Sequence, residues 1–161
     1  MDVQDAIRRS IQTEKNAMDF YHLAARHTKN GAAKRVFEVL MQEEREHAGS
    51  FYDIYQGRDI PDFDRFMATP PQEGENWISD LEKLLLQDFN ERRAMEVAME
   101  KEQNLEKNLR QMAAKIEDPK VRAVFEANAL STHNHYLLIE SEYARLMGMV
   151  HETDIDTFVR E

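Results

Sequence analysis

The stretch "GRDIPDFDRFMATPPQEGENW" (residues 57–77) has no sustained helical period and holds three of the four prolines, Pro61, Pro70 and Pro71. It reads as a connection. What lies on either side is helical. From Val3 to Thr28 apolar residues recur at helical spacing (Ile7, Ile11, Met18, Tyr21, Ala25), and "KNG" at 29–31 reads as a stop. A second stripe runs through Phe37, Leu40, Phe51, Ile54 and Tyr55 until Gly57. Beyond the connection, Ser79 with Glu82 forms a capping box, from which a helix runs to about Glu117. The part before Asp88 reads equally as an extension of that helix or as a separate short one. Asp118 followed by Pro119 is an N-cap with proline at the first helical position, and Gly148 closes the last helix. The expected helices are therefore 3–29, 31–56, 79–117 and 119–147, with a crossover over about 57–78. Each main helix is roughly 40 Å long at 1.5 Å per residue. The crossover reaches about 70 Å when extended, enough to run the length of a bundle. The expected fold is all-α: a four-helix bundle over 1–148, two antiparallel hairpins joined by one long crossover, then a C-terminal tail at 149–161.

Composition fits this and narrows function. Gly and Pro number 5 and 4, charged residues make up 32%, and Met is frequent at 9. A formal net charge of −10 gives little reason to bind nucleic acid or an anionic membrane. The absence of cysteine excludes disulfides, thiolate metal sites and thiol nucleophiles. No signal-like start and no membrane-length apolar run are seen, so a cytoplasmic protein is expected.

The two hairpins resemble each other at an offset of 88 residues. "VFE" at 36–38 recurs at 124–126, and the same offset pairs Asn16 with Asn104, Glu14 with Glu102 and His47 with His135. A duplicated hairpin is the natural reading.

Charged residues stand where the apolar stripes need core. Glu14 falls on the first stripe, Glu44 and His47 on the second, Glu102 on the third (with Met95, Met99, Leu105, Leu109 and Met112). His135 falls on the fourth, with Val124, Asn128, Thr132 and Leu138. Each lies midway along its helix, so all five are expected at one height. A lone glutamate on such a stripe is usually a solvated flank or a salt-bridge partner, and arginines such as Arg26, Arg92 or Arg145 could serve. A lone core histidine is usually structural. Five at matching depth need cations, because buried carboxylates facing one another are costly. A metal centre supplies them. Glu44 and His47 are one turn apart and can address one ion. In "ALSTHNHYLL" (129–138), His133 and His135 are about 200° apart around the helix. The repeat selects His135 as the inward one, so His133 is expected to face outward or toward a neighbouring subunit. Glu43, Glu46, Glu100 and Glu106 are read as solvated charges. Tyr21 is read as a core tyrosine close to the site, with Thr132 and Asn128 as further lining residues.

A glutamate on helix 1, E-x-x-H on helix 2, a glutamate on helix 3 and a histidine on helix 4 resemble the rubrerythrin branch of the ferritin-like superfamily. "EKNAMDFYHLAA" (14–25) and "LMQEEREHAGSFYDIY" (40–55) carry the likeness. The resemblance implies a ferritin-like bundle holding two irons, one by Glu14, Glu44 and His47, the other by Glu102 and His135 with Glu44 as a bridge. Manganese and zinc are alternatives. It also implies a non-haem diiron oxidase or peroxidase using dioxygen or hydrogen peroxide, a separate electron donor and a homodimer. The chain departs from the pattern at Thr132, where helix 4 should carry a glutamate, at Leu105, where rubrerythrins proper have a further glutamate, and in lacking the cysteines of a rubredoxin site. Three carboxylates against two divalent ions leave one positive charge over. A hydroxide, oxide or small anion could fill that gap. A non-catalytic iron-binding, storage or sensing role, and a purely structural polar core, are the competing readings.

Overall fold

The computed structural model describes residues 1–73, 77–87 and 89–148, and expectations for the tail at 149–161 fall outside them. Its helices are α1 (Val3–His27), α2 (Gly31–Tyr52), α3 (Phe63–Met67), α4 (Trp77–Gln87), α5 (Glu91–Lys115) and α6 (Pro119–Leu146). The long helices α1, α2, α5 and α6 build an all-α bundle. α1 packs along α2 and α5 along α6, while α2 meets α6 and α1 meets α5 across the centre.

Local chemistry sets the boundaries. Asp2, Asn30, Asn90 and Asp118 each accept a backbone N–H in the first turn of the helix they precede. Asp118 caps α6 together with Pro119, and Gly148 at φ +70° closes its other end. The "KNG" stretch behaves differently from its expected role. α1 already ends at His27, Asn30 caps α2 and Gly31 opens it. Asparagine is the better N-cap, and here the cap outweighs the glycine signal. α2 stops at Tyr52, short of Gly57: Asp53 still bonds back to Gly49, but the N–H groups of Ile54 and Tyr55 bond three residues back, to Phe51 and Tyr52, and tighten the chain. Ile54 and Tyr55 still pack on the core from that turn.

The third expected helix divides in two. α4 starts at Trp77, so Ser79 lies inside it and does not cap it, and a new cap at Asn90 starts α5. The crossover contains the short α3, capped by Asp62. It is tied down by specific bonds. Arg45 pairs with Asp64 at 2.5 Å and lies over the Phe63 ring, and Arg8 pairs with Asp59 at 2.6 Å and lies over Phe66. Lys15, only 1% exposed, donates to Asp19 Oδ2 (2.6 Å) and to the carbonyls of Thr69 (3.0 Å) and Pro70 (3.4 Å). The crossover is thereby held against α1.

The core fills the bundle with Ile7, Ile11, Phe20, Phe37, Leu40, Phe51, Met95, Leu109, Phe125 and Ile139. On α6 the buried line passes through Phe125 and Ile139. Val124 is only partly buried and Leu138 is 39% exposed. The 3.6-residue period moves the stripe one position from the expected residues at each end, leaving Thr132 and His135 on it.

Candidate metal centre

Glu14, Glu44, Glu102 and Thr132 have no exposed surface, and His135 and His47 are 2% and 8% exposed. α1, α2, α5 and α6 each send at least one of them to mid-bundle. Glu44 stands between the two histidines: Oε1 is 3.1 Å from His47 Nδ1, and Oε2 is 3.5 Å from His135 Nδ1. Glu14 Oε1 lies 3.4 Å from His47 Nδ1, and Glu102 Oε2 lies 3.6 Å from His135 Nδ1. Two half-sites share Glu44, one on each side. The imidazoles stack face to face, centroids 4.9 Å apart and planes within 5°. Among the described residues, Glu44, His47 and His135 form a group whose ligand atoms all lie within 4.8 Å of one another. Glu14 and Glu102 flank it.

None of these inner contacts is aligned as a hydrogen bond. Both oxygens of Glu14 and of Glu44, Oε1 of Glu102, Nδ1 of His47 and of His135, and Oγ1 of Thr132 are buried without a hydrogen-bond partner among the described residues. Buried polar atoms are nearly always satisfied, so such a concentration on facing side chains marks a place for a cation. The donor set of carboxylate oxygen and imidazole nitrogen suits iron, manganese or zinc. No Lys or Arg pairs with Glu14, Glu44 or Glu102 among the described residues, and the cationic groups against them are His47 and His135.

The electrostatics follow from this crowding. Burial and the neighbouring Glu44 push Glu14 up to about 8. Burial alone would lower His47, but Glu14 and Glu44 outweigh it and raise it to about 10. Glu102 and Glu44 likewise overcome burial at His135 and raise it to about 11. Protons thus balance the carboxylates when no metal does.

The outer ring nitrogens are held as well. His47 Nε2 is 2.8 Å from Ser131 Oγ, and His135 Nε2 is 2.7 Å from Glu43 Oε1. Glu43, read as a solvated charge, keeps 44% of its side chain exposed but also lies against the His135 ring nitrogen. Ser131 and Glu43 were missed by the stripe argument because both sit at the rim. A signal was present: each lies four residues before a motif histidine, and the 88-residue repeat pairs them.

Tyr21 donates to Glu102 Oε2 at 2.5 Å and touches the ring of Trp77 edge-on at 5.7 Å. Burial and the surrounding glutamates raise its pKa well above the usual phenol value. Asn128 does not enter the cluster. Its amide nitrogen is spent on Ser50 Oγ (3.0 Å) and the Val124 carbonyl (2.8 Å). His133 points away, with Nδ1 3.1 Å from Glu106 Oε1. Glu106, read as solvated, is in fact held between His133 and Arg110. Arg145 pairs with Glu142 at the far end of α6 and does not reach the site.

A four-helix bundle with one long crossover defines a ferritin-like protein, and its buried carboxylate–imidazole cluster at mid-height is of a kind suited to diiron-type metal binding. The family model for rubrerythrin matches residues 5–143, and the chain belongs to the rubrerythrin family. No curated protein and no solved structure gives a significant match. No helix among the described residues is long and apolar enough to cross a membrane.

Proposed function

We propose that this protein binds two iron ions, one between Glu14, Glu44 and His47 and the other between Glu44, Glu102 and His135, and that it is an oxidoreductase acting on dioxygen or hydrogen peroxide. The observation that carries the reading is the set of buried, partnerless ligand atoms on facing helices. Each ion would be held by two carboxylates and one imidazole, a set that would leave room for an oxidant. Ferrous ions would supply electrons to that oxidant. The chain's own part is to orient: Tyr21 holds Glu102, Ser131 and Glu43 hold the imidazoles, and Phe20, Phe37 and Trp77 pack their rings around Tyr21. A cleft of about 400 Å³ between α2 and α6, lined by Glu43, His47, Ser50, Asn128 and Ser131, reaches one of the candidate ligands and is the approach we assign to a small oxidant. Electrons for further turnovers would come from a separate donor.

One observation favours a second reading. Thr132 is fully buried where a fourth carboxylate is expected, and its hydroxyl has no hydrogen-bond partner among the described residues. A site short of one ligand suits metal binding, storage or sensing without turnover. Metal analysis of protein purified without chelators, then anaerobic Fe(II) addition followed by peroxide, separates the readings. Two irons per chain oxidised much faster than free Fe(II) support the enzyme. Bound metal without fast oxidation supports the second reading, and no bound metal overturns both. A homodimer is also proposed. Leu130 and Leu137, seven residues apart on α6 and 57% and 46% exposed, are apolar surface of the kind such a contact covers.

A further inference from the structure

The outer hydrogen bonds of the two histidines cross between the hairpins, and they are not equivalent. Ser131 of α6 serves His47 of α2, and Glu43 of α2 serves His135 of α6. Glu43 and Ser131 are 88 residues apart, as are Glu44 and Thr132. The duplicated hairpins thus carry Glu43-Glu44 on α2 against Ser131-Thr132 on α6. Both acids of the equivalent pairs sit on α2. One of them, Glu44, faces the centre, and the other reaches across to the histidine beside Thr132.

We infer that Glu43 replaces, one layer further out, the charge that Thr132 fails to supply, and that it is the positioning residue for the metal on the His135 side. A carboxylate only accepts hydrogen bonds, so Glu43 requires the hydrogen of His135 on Nε2 and leaves Nδ1 to offer its lone pair inward. A carboxylate behind an imidazole makes that imidazole a stronger, more anionic donor. Ser131 Oγ both donates and accepts, so it imposes neither effect on His47, which already shares Glu14 and Glu44. The compensation falls on the half-site that lacks its glutamate.

This inference rests on the two-metal reading, and the experiment keeps the two apart. Metal-free protein is titrated with Co(II), followed by visible absorption and by metal analysis, for wild type, Glu43→Gln, Ser131→Ala, Thr132→Glu and Thr132→Glu/Glu43→Gln. Gln still accepts from Nε2 but carries no charge. Glu43→Gln is expected to weaken one of two Co(II) equivalents about 10–100-fold and leave the other unchanged. With Thr132→Glu present, the same change is expected to cost less than about threefold, because the missing charge is back in place. Equal losses in both backgrounds, or wild-type binding by Glu43→Gln, overturn the inference while leaving the two-metal reading intact. A wild type that binds no Co(II) overturns both. Should Thr132→Glu not fold, the comparison with Ser131→Ala decides: equal losses for Glu43→Gln and Ser131→Ala overturn the inference, and a loss confined to Glu43→Gln upholds it.

Discussion

Tyr21 and Glu102 are joined across the bundle, from α1 to α5, by a 2.5 Å hydrogen bond in which the phenol donates to Oε2. Among the described residues it is the one side-chain hydrogen bond made by any of the three central glutamates, and the other oxygen of Glu102 is unpaired. Tyr21→Phe removes the donor at nearly constant volume. We expect urea unfolding of the metal-free variant to show a loss of about 1–3 kcal/mol, the range for leaving a buried acceptor without its donor. Unchanged stability would show that the bond contributes nothing to the fold.

The raised pKa values set a pH dependence of definite sign. Glu14, His47 and His135 all hold protons more tightly folded than unfolded. Their contribution to stability is greatest at low pH. It is lost for Glu14 as pH rises from 4.5 through about 8. For the histidines it is lost from 6.5 through about 10 and about 11. The melting temperature of metal-free protein should therefore fall between about pH 6.5 and 8. Ligation needs these protons gone, so loading both half-sites near pH 7 should release about three protons. Calorimetry in buffers of different ionisation heats counts them, and a count near zero would contradict the protonated cluster.

The two histidines of "THNH" should behave differently. His47→Ala and His135→Ala should each lower bound metal by about one equivalent, measured by metal analysis after gel filtration. His133→Ala removes a partner of Glu106 at the surface and should leave metal content unchanged. Metal lost from the His133 variant would place the site elsewhere on α6.

Lys15 makes a prediction about the crossover. With the ammonium removed, Asp19, 8% exposed, loses its cation and two carbonyls lose their donor. Lys15→Met should cost about 3–5 kcal/mol, and Lys15→Met/Asp19→Asn should recover part of it. Limited proteolysis near Thr69 should speed up in the first variant. A cost below about 1 kcal/mol would show that the crossover is held by its other contacts.

Much of this was readable in the residues themselves. The long helices follow from period and caps, and the cluster from charges standing on apolar stripes at one height. What stayed hidden depends on relations that a single stripe does not express. The break before α5 turns on Asn90, whose capping role competes with an equally plausible Ser79. Glu43 and Ser131 act on the opposite hairpin, so their purpose appears only when α2 and α6 are side by side. Asn128 looked like a site residue because its stripe position is right, but nearby polar partners on α2 and α6 claim its amide.

The crossing of the outer bonds has one more consequence. Each imidazole is aimed by a residue from the other half of the chain, and Glu44 touches both rings. Neither hairpin owns a finished half-site. The centre is therefore a keystone: it is completed when the halves dock, and an ion between Glu44, Glu102 and His135 would tie α2 to the second hairpin and resist their separation.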